Sequence, residues 1–442
     1  MEATAKKATF QKYSAYKDSG VEWLGQIPAH WDMLPNKFIF KLKKNLVGKK
    51  SNQYTLLSLT LHGIIKRDME NPQGKFPAEF DTYQEVNNGD FVFCLFDVEE
   101  TPRCVGLSDF DGMITGAYTV MQVGSKFDKR FLYYFYLNLD KDKRLRPLYT
   151  GLRNTISKDN FFAFKAFVPP LPEQTAIAAF LDDKTAKIDR AIAHKEKMIS
   201  LLKERKQIII QNAVTKGLDP NTKMKHSGVE WIGEIPEGWE VKRLKFVSKI
   251  NINSLPENTP NTFSFNYVDI GSVSFENGIE RTEYFEFKNA PSRARRIAKK
   301  GNTVISTVRT YLKAIDYISK DKAEFIYSTG FAVLEPIGLV NEFLYHFVRS
   351  NAFTEQVTVD SKGMSYPAIN STDLSRLFLA IPPIQEQTAI VAHIETQSAK
   401  IDKAIKLQEQ QIEKLKELKS TLIDSAVTGK LRVPSVQEIK VS

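Results

Sequence analysis

A long charged segment at residues 171–218 recurs at 384–431, and this duplication constrains the fold more than any other feature. Residues 173–177, Glu-Gln-Thr-Ala-Ile, return unchanged at 386–390, so the offset is 213 (386 − 173). The tripeptide Lys-Ile-Asp at 187–189 returns at 400–402 with the same offset. A double proline precedes each copy and favours the start of a helix there. The chain is therefore predicted to contain two related long helices.

The apolar residues of both copies are spaced by three, four and seven, which is typical of the narrow seam of a coiled coil. Neither helix is able to bury such a seam alone, so the two helices are predicted to pack on each other. Because a helix rises 1.5 Å per residue, a helix of about 40 residues would be roughly 60 Å long. The predicted seam consists of Leu181, Ile188, Ile192, Ile199, Leu202 and Ile209 in one helix and Ile394, Ile401, Ile405, Ile412, Leu415 and Leu422 in the other.

The composition excludes some classes of protein. The 442 residues carry a formal net charge of +10, which favours nucleic acid or an acidic partner without distinguishing them. No apolar run reaches the roughly 20 residues of a membrane span, and Met1–Lys7 lacks the apolar stretch of a signal peptide, so a cytoplasmic protein without membrane contact is expected. Cys94 and Cys104 have no metal-binding spacing and are expected to be buried free thiols.

A second repeat opens each half of the chain. The run Ser-Gly-Val-Glu-Trp at 19–23 returns at 227–231, an offset of 208 (227 − 19), and a Pro and a second Trp follow in both copies. All four tryptophans of the chain lie in these openings. We expect them to plug the edge of a domain core, and the alternative is a role in stacking on bases.

Between each opening and its long helix lies a globular part built mainly from short strands. A tight turn before residues 91–93 and its counterpart before 304–305 each predict a buried strand. The aromatic runs 131–135 and 343–347 predict short amphipathic helices. Polar loops at 149–156 and 361–369 carry cationic and hydroxyl side chains that are suited to phosphates and base edges. The fold class predicted is α+β with an internal pseudo-twofold repeat.

The duplicated order of Ser-Gly-Val-Glu-Trp opening, variable domain, Pro-Pro-x-x-Glu-Gln motif and long helix resembles the specificity subunit of type I restriction-modification enzymes. The resemblance covers residues 13–433 and implies four segments: a first target-recognition domain at 1–170, a central helix at 171–218, a second target-recognition domain at 219–383, and a C-terminal helix with its tail at 384–442. Two antiparallel helices would form a coiled coil that separates the recognition domains.

The resemblance also implies the function and the partners. Each recognition domain would read one half of a bipartite site on double-stranded DNA, and the helix pair would set the spacer and dock two methyltransferase subunits. Restriction and motor subunits would complete an adenine-N6 DNA methyltransferase and ATP-dependent endonuclease. This chain would be non-catalytic and bind no cofactor or metal; S-adenosylmethionine, ATP and Mg are expected on the partner subunits.

Candidate DNA-binding residues are the basic, amide, hydroxyl and aromatic side chains of the variable parts, and a solvated basic face is the alternative for each cluster. In the first half they are Lys49, Lys50, Lys66, Arg67, Arg103, Arg144, Arg146, Arg153 and Asn154. In the second half they are Arg293, Arg295, Arg296, Lys299, Lys300, Arg309, Tyr311, Lys313, Lys362, Ser365 and Tyr366.

Catalytic motifs do not occur in the sequence. The phosphate-binding loop GxxxxGK[ST], the zinc motif HExxH and the nucleophile motif GxSxG are absent, and the six histidines are scattered. The glutamates of the Pro-Pro-x-x-Glu-Gln motifs are expected to favour the helix dipole, or to contact a subunit. Two further hypotheses remain: a coiled-coil scaffold that binds proteins without DNA specificity, and an enzyme with an unrecognised site.

Overall fold

The computed structural model describes residues 11–69 and 79–433, and both helices and strands occur in an α+β fold. Met1–Lys7, on which the signal-peptide prediction depends, lie outside the described residues. The described residues form two compact units: 11–69, 79–195 and 410–433 belong to one, and 196–409 form the other. This division falls inside both long helices; the four-segment division stays a prediction. Within the described ranges, no helix has the length and apolarity needed to cross a membrane.

In the first unit, a four-stranded antiparallel sheet in the order β4-β11-β8-β9 packs against helix α1 and the start of α3. The elements are β1 Tyr16–Asp18, β2 Gln26–Pro28, β3 Asp32–Pro35, β4 Phe40–Lys43, β5 Leu57–Thr60, β6 Gly63–Lys66, β7 Gln84–Val86, β8 Phe91–Phe93, β9 Val105–Leu107, β10 Gly112–Ile114, β11 Thr119–Val123, α1 Lys129–Lys141, β12 Tyr149–Thr150, β13 Thr155–Ile156, α2 Lys158–Ala163, β14 Lys165–Val168 and α3 Leu171–Lys216.

The second unit repeats this plan with a four-stranded sheet in the order β18-β27-β24-β25, and adds a second sheet in the order β22-β19-β26-β23. The elements are β15 Met224–His226, β16 Glu234–Pro236, β17 Glu240–Arg243, β18 Ser248–Ile250, β19 Ser264–Val268, β20 Val273–Ser274, β21 Gly278–Ile279, β22 Glu283–Glu286, β23 Ala294–Ile297, β24 Thr303–Ser306, β25 Ile315–Tyr317, β26 Ile326–Ser328, β27 Phe331–Pro336, α4 Asn341–Val348, α5 Asn351–Asp360, α6 Ser371–Arg376, β28 Phe378–Ile381 and α7 Ile384–Val427.

The predicted local elements are confirmed. Gly89 and Gly301 adopt positive φ angles of 84° and 88° in the turns before β8 and β24, a conformation that glycine adopts without steric cost. The aromatic runs lie in α1 and α4, whose buried faces belong to the cores. Cys94 and Cys104 are buried free thiols. The double prolines end β14 and β28 and precede α3 and α7.

Segments of the two long helices pack against each other within each unit. In the first unit Asp189 pairs with Lys419 at 2.7 Å, and the earlier Leu181 shares a core with the later Val427. In the second unit, Lys206 pairs with Asp402 at 2.8 Å. The two ion pairs are repeat equivalents, since 189 + 213 = 402 and 206 + 213 = 419. The order of the contacts makes the helix segments of the first unit antiparallel.

The twelve predicted seam positions divide into two sets by exposure. Buried side chains are Leu181, Ile188, Ile394, Ile401, Ile412 and Leu422. Half-buried side chains are Ile192, Ile199, Leu202, Ile209, Ile405 and Leu415. In α3 the two seam positions nearest the helix start are buried and the four later ones are half-buried, whereas buried and half-buried positions alternate in the second part of α7.

Trp31 and Trp239 lie inside the cores rather than at their edges. Both are fully buried, and each indole Nε1 donates to a glutamate of the helix start, Trp31 to Glu173 at 3.1 Å and Trp239 to Glu386 at 3.0 Å. Trp231 by contrast remains 41% exposed. The glutamates therefore fasten each helix start to a core, a role that neither dipole compensation nor subunit contact anticipates.

The neighbouring glutamines connect three parts of each unit. Gln174 donates to the carbonyl of Pro169 at 2.8 Å and accepts from the backbone N–H of Asp128, the N-cap of α1, at 2.9 Å. Gln387 repeats both bonds with Pro382 and Val340, each at 2.9 Å. Both glutamines are buried. One side chain thus joins the end of a strand, the start of a long helix and the start of an aromatic helix.

Replacing Gln174 or Gln387 by alanine should lower the free energy of unfolding by about 2 to 4 kcal/mol, because a backbone donor and a carbonyl lose their buried partner. Urea unfolding of the full chain measures this change. The control is Thr388→Ala, since the exposed Thr388 hydroxyl bonds a carbonyl of its own helix. Equal losses in the glutamine and threonine variants would contradict the assigned role.

His346 provides a pH-dependent term in the second unit. Its Nδ1 is buried without a hydrogen-bond partner among the described residues, and burial, aided by Arg349 and Lys206, lowers its pKa from 6.5 to about 4. The unfolded chain takes up this proton near pH 6.5, whereas the folded chain does so near pH 4. The unfolded state binds more protons in between, so stability falls as the pH falls.

We therefore expect the free energy of unfolding to fall by about 3 kcal/mol from this group as the pH drops from 6.5 to 4. His346→Asn does not titrate and should lack this contribution. Denaturant unfolding of both proteins across the window gives the difference between their curves. Parallel curves would show that His346 does not contribute.

Candidate nucleic-acid interface

Two loops of the second unit meet at one end of its main sheet. The strand-end loop, residues 307–313, follows β24, and the hairpin loop, residues 361–369, precedes α6. The N–H of Ile369 donates to the carbonyl of Thr307 at 2.9 Å, and the hydroxyls of Thr310 and Ser361 lie 2.9 Å apart. The fold therefore brings together two sequence-predicted clusters that are about fifty residues apart in the chain.

The side chains at this meeting point are exposed and suited to bases and phosphates. The Arg309 guanidinium lies 5.2 Å from the centre of the Tyr366 ring, and Arg309 has a positive φ of 53°. Tyr311 is 58% and Tyr366 62% exposed. Ser365 is exposed on the same loop. Arginine and aromatic faces of this kind stack on bases and donate hydrogen bonds to them.

Both lysines of these loops lie close to carboxylates. Lys313 is 3.9 Å from Glu355, and Lys362 is 3.9 Å from Asp373. These separations are longer than a hydrogen bond, and the Lys362 side chain is 85% exposed. Such ion pairs contribute little to stability in water, so the ammonium groups are available to a stronger anion such as phosphate.

The basic run at 293–300 is divided by the fold. The N–H of Thr329 donates to the carbonyl of the exposed Arg293, and the N–H of Thr307 donates to the carbonyl of Gly330, so Arg293 lies next to the segment that binds the start of the strand-end loop. Arg295 stacks on Phe287 at 4.6 Å, and burial lowers the pKa of Arg296. Lys299 and Lys300 lie in the turn before β24, at the opposite end of that strand from Arg309. Four strand residues span about 13 Å, so a run that is dense in sequence is dispersed in space.

The first unit brings equivalent loops together. Its strand-end loop, residues 95–101, follows β8, and its hairpin loop, residues 149–156, contains β12 and β13. The N–H of Ile156 donates to the carbonyl of Leu95 at 2.8 Å, and the N–H of Asp97 donates to the carbonyl of Arg153 at 2.9 Å. The first of these bonds is the repeat equivalent of the bond between Ile369 and Thr307.

Carboxylates hold the cations of the first unit. The Arg153 Nε donates to Asp97 at 2.9 Å, and the Arg146 Nε donates to Glu99 at 2.9 Å. These hydrogen bonds lower the pKa of both carboxyls and raise that of both arginines. Asn154 similarly donates to Glu100 at 3.0 Å. The basic groups predicted from sequence are present, but each already has an acidic or polar acceptor.

The remaining first-unit candidates lie apart from these loops. Lys49 and Lys50 are exposed on a short 3-10 helix at Gly48–Gln53. Lys66 lies over the Phe110 ring, with the half-buried Arg67 beside it.

Two further arginines face other parts of the unit. Arg103 donates to the Tyr133 hydroxyl at 3.1 Å. Arg144 pairs with Asp424 at 2.8 Å and stacks on Trp23 at 4.6 Å, so it joins the end of α7 to the domain. This placement gives Arg144 a structural role that its charge alone did not indicate.

Sequence reasoning missed the acidic and aromatic partners of the first unit. Asp97, Glu99 and Phe96 belong to the strand-end loop, whose sequence carries no basic cluster that would indicate a nucleic-acid contact. Alignment of the two halves contained the signal, because Asp97 lies 212 residues before Arg309. The contact between the two loops depends on the order of strands in the sheet, and the pattern of charges along the sequence does not predict that order.

Comparison with known proteins places this arrangement in a class. Residues 236–417 match the family model described as "Type I restriction modification DNA specificity domain". The chain is 26% identical over 318 residues to the type I restriction enzyme MjaVIII specificity subunit of Methanocaldococcus jannaschii, covering 69% of this chain and 71% of the relative. It is 25% identical over 432 residues to the putative MjaX specificity subunit of that organism, covering 93% and 96%.

Solved structures share the fold. A chain from a study of complex assembly and conformational transition of the type I restriction-modification system superimposes with a TM-score of 0.65 at 15% identity, covering 92% of this chain and 99% of that chain. The HsdS subunit from Thermoanaerobacter tengcongensis gives a TM-score of 0.50 at 16% identity, covering 92% and 98%. These neighbours and this chain share an α+β fold. In sequence and in fold the chain is similar to the specificity subunits of type I restriction-modification enzymes.

Proposed function

We propose that this chain is the DNA-recognition subunit of a type I restriction-modification complex, in which each globular part reads one half of a bipartite site. The observation that carries the proposal is the pair of exposed loops at the end of the main sheet in each unit. Both pairs present a guanidinium beside an aromatic ring, a combination suited to base edges and phosphates. Similarity to the DNA specificity domain model and to named specificity subunits supports the same assignment.

The long helices are proposed to form an antiparallel coiled coil that sets the unread spacer and docks two methyltransferase subunits. Both α3 and α7 are continuous across the division between the units. A helix of 46 residues is about 70 Å long, which is long enough to separate two DNA contacts by at least one helical turn. The equivalent pairs Asp189–Lys419 and Lys206–Asp402 support a pseudo-twofold arrangement.

In this proposal the chain is non-catalytic and acts in the cytoplasm. Adenine-N6 methylation and ATP-dependent cleavage belong to methyltransferase and restriction or motor subunits, which would hold S-adenosylmethionine, ATP and Mg. The alternative, a protein scaffold without DNA specificity, is not favoured, because the relatives of this chain are named as specificity subunits.

The chain co-purified with its methyltransferase subunit should bind duplex DNA with an affinity that falls as salt rises, since each neutralised phosphate contributes about 0.9 to the logarithmic slope. Fluorescence anisotropy across a salt series measures the slope, and methylation mapping identifies the sequence. A control duplex with scrambled half-sites should retain only the salt-dependent binding. Equal affinity for both duplexes, without a methylated bipartite motif, would refute the proposal.

Inserting four residues between Ile192 and Ile199, with a matching insertion between the repeat-equivalent Ile405 and Ile412, should lengthen the spacer. Four residues add about 6 Å of helix, which corresponds to about two base pairs. Both half-sites should stay unchanged in methylation mapping.

The control places the same four residues in the exposed loop at 219–222, outside both helices. A spacer that is unchanged by the helix insertions, or lengthened equally by the loop insertion, would contradict the role of the helices.

A further inference from the structure

Besides the shared backbone hydrogen bond, the strand-end and hairpin loops contain a pair of positions whose side chains are in contact in both units. The pair is 97 and 153 in the first unit, and 309 and 366 in the second. The offsets agree with the surrounding repeats: 309 − 97 = 212, as for Gly89 and Gly301, and 366 − 153 = 213, as for Ile156 and Ile369. Asp97 binds Arg153, and Arg309 stacks on Tyr366.

The backbone at the strand-end position is unusual in both units. Asp97 has a φ of 46° and Arg309 a φ of 53°, so both occupy the left-handed region that residues other than glycine rarely adopt. Such a conformation costs of order 1 kcal/mol or more and persists where the surroundings impose it. Both copies of the duplicated unit have this left-handed backbone conformation at the equivalent position, although neither residue is a glycine.

The side chains at these positions differ although the backbone does not. The arginine comes from the hairpin loop in the first unit and from the strand-end loop in the second. In each case it lies near an aromatic ring of the opposite loop, Arg153 at 5.9 Å from Phe96 and Arg309 at 5.2 Å from Tyr366. Both guanidinium groups remain accessible: the Arg153 side chain is 71% exposed, and Arg309 is exposed. A position that determines sequence specificity needs a constant backbone geometry and a side chain that differs between recognition domains.

We propose that this position pair is the base-reading pair of each recognition domain, and that Arg153 and Arg309 each read a guanine in the major groove. The inference rests on the proposed function and adds the residues and the base. An arginine recognises guanine by donating two hydrogen bonds to O6 and N7, and stacking on an aromatic ring holds the guanidinium plane for that geometry.

The two arginines are supported differently. Asp97 accepts from the Nε and Nη2 of Arg153, which leaves both N–H groups of Nη1 and the second N–H of Nη2 to donate to a base. Asp97 is therefore a positioning residue for Arg153. In the second domain, Tyr366 supports Arg309 without neutralising its charge.

The test is base preference at single positions, measured by methylation of a randomised plasmid library by the complex with its methyltransferase subunit. The wild-type motif should contain a G·C pair in each half-site. Arg309→Ala should reduce the preference for guanine at one position of one half-site by about 5- to 150-fold, and Arg153→Ala should do the same in the other half-site. The half-site that is not targeted is the internal control for folding and assembly.

Three further variants sharpen the result. Arg243→Ala removes an exposed arginine of β17 that stacks on Phe378 and belongs to neither loop, and it should leave the motif unchanged. Arg309→Lys and Arg153→Lys keep the charge but lose the double hydrogen bond, so guanine preference should fall while methylation continues; they decide the matter if an alanine variant fails to fold. Asp97→Asn should relax the same base position as Arg153→Ala, by a smaller factor.

Unchanged base preference in the arginine variants, or a uniform loss of methylation with every preference retained, would overturn the proposal, since the second result is that of a phosphate contact. A wild-type half-site without a G·C pair would also overturn it. These outcomes differ from failure of the proposed function, in which the wild-type complex itself would give no bipartite methylated motif.

Discussion

The buried side-chain amide at the start of each long helix is the contact on which the rest of the structure depends. Gln174 and Gln387 satisfy a strand-end carbonyl and the first N–H of an aromatic helix, and the adjacent glutamates bind the indoles of Trp31 and Trp239. Buried backbone groups without partners are costly, so these bonds fix where a helix leaves its domain. A helix with a fixed departure direction is a useful spacer; one attached through a mobile loop is not.

The first unit is assembled from both ends of the chain. The N–H of Arg432 donates to the carbonyl of Gln11 at 2.9 Å, and the Tyr16 hydroxyl donates to the carbonyl of Gly429 at 3.2 Å. In the second unit the chain passes directly from α3 to β15. The peptide chain itself therefore joins the end of a long helix to the opening strands there, whereas hydrogen bonds make this connection in the first unit. The duplicated plan is thereby completed in both units, although only one of them is continuous in sequence.

The two copies keep the scaffold and vary the loops. The sheet orders β4-β11-β8-β9 and β18-β27-β24-β25 correspond strand for strand, and the same hydrogen bond joins strand-end and hairpin loops in each. The side chains at the meeting point differ in charge, with carboxylates holding the arginines of one unit and an aromatic ring supporting the arginine of the other. A rigid sheet end that tolerates such exchange suits readers of different sequences.

The sequence by itself determined the duplication, the bounds of the long helices to within a few residues, the strands after the glycine turns and the aromatic helices. These features depend on local propensity and periodicity, which are visible in a single chain. The family resemblance likewise rests on residues that recur in order along the chain.

Only the tertiary structure decided which candidate side chains meet. Lys299 and Lys300 lie at the opposite end of β24 from Arg309. Arg144 contacts Asp424 and Trp23, and Asp97 pairs with Arg153. Such contacts join residues that are dozens to hundreds of positions apart in the chain. They depend on the order of the strands in the sheets and not on composition. Sequence reasoning finds where cations are concentrated along the chain, whereas a site depends on how the sheet ends bring those cations, their acids and their aromatic supports to one place.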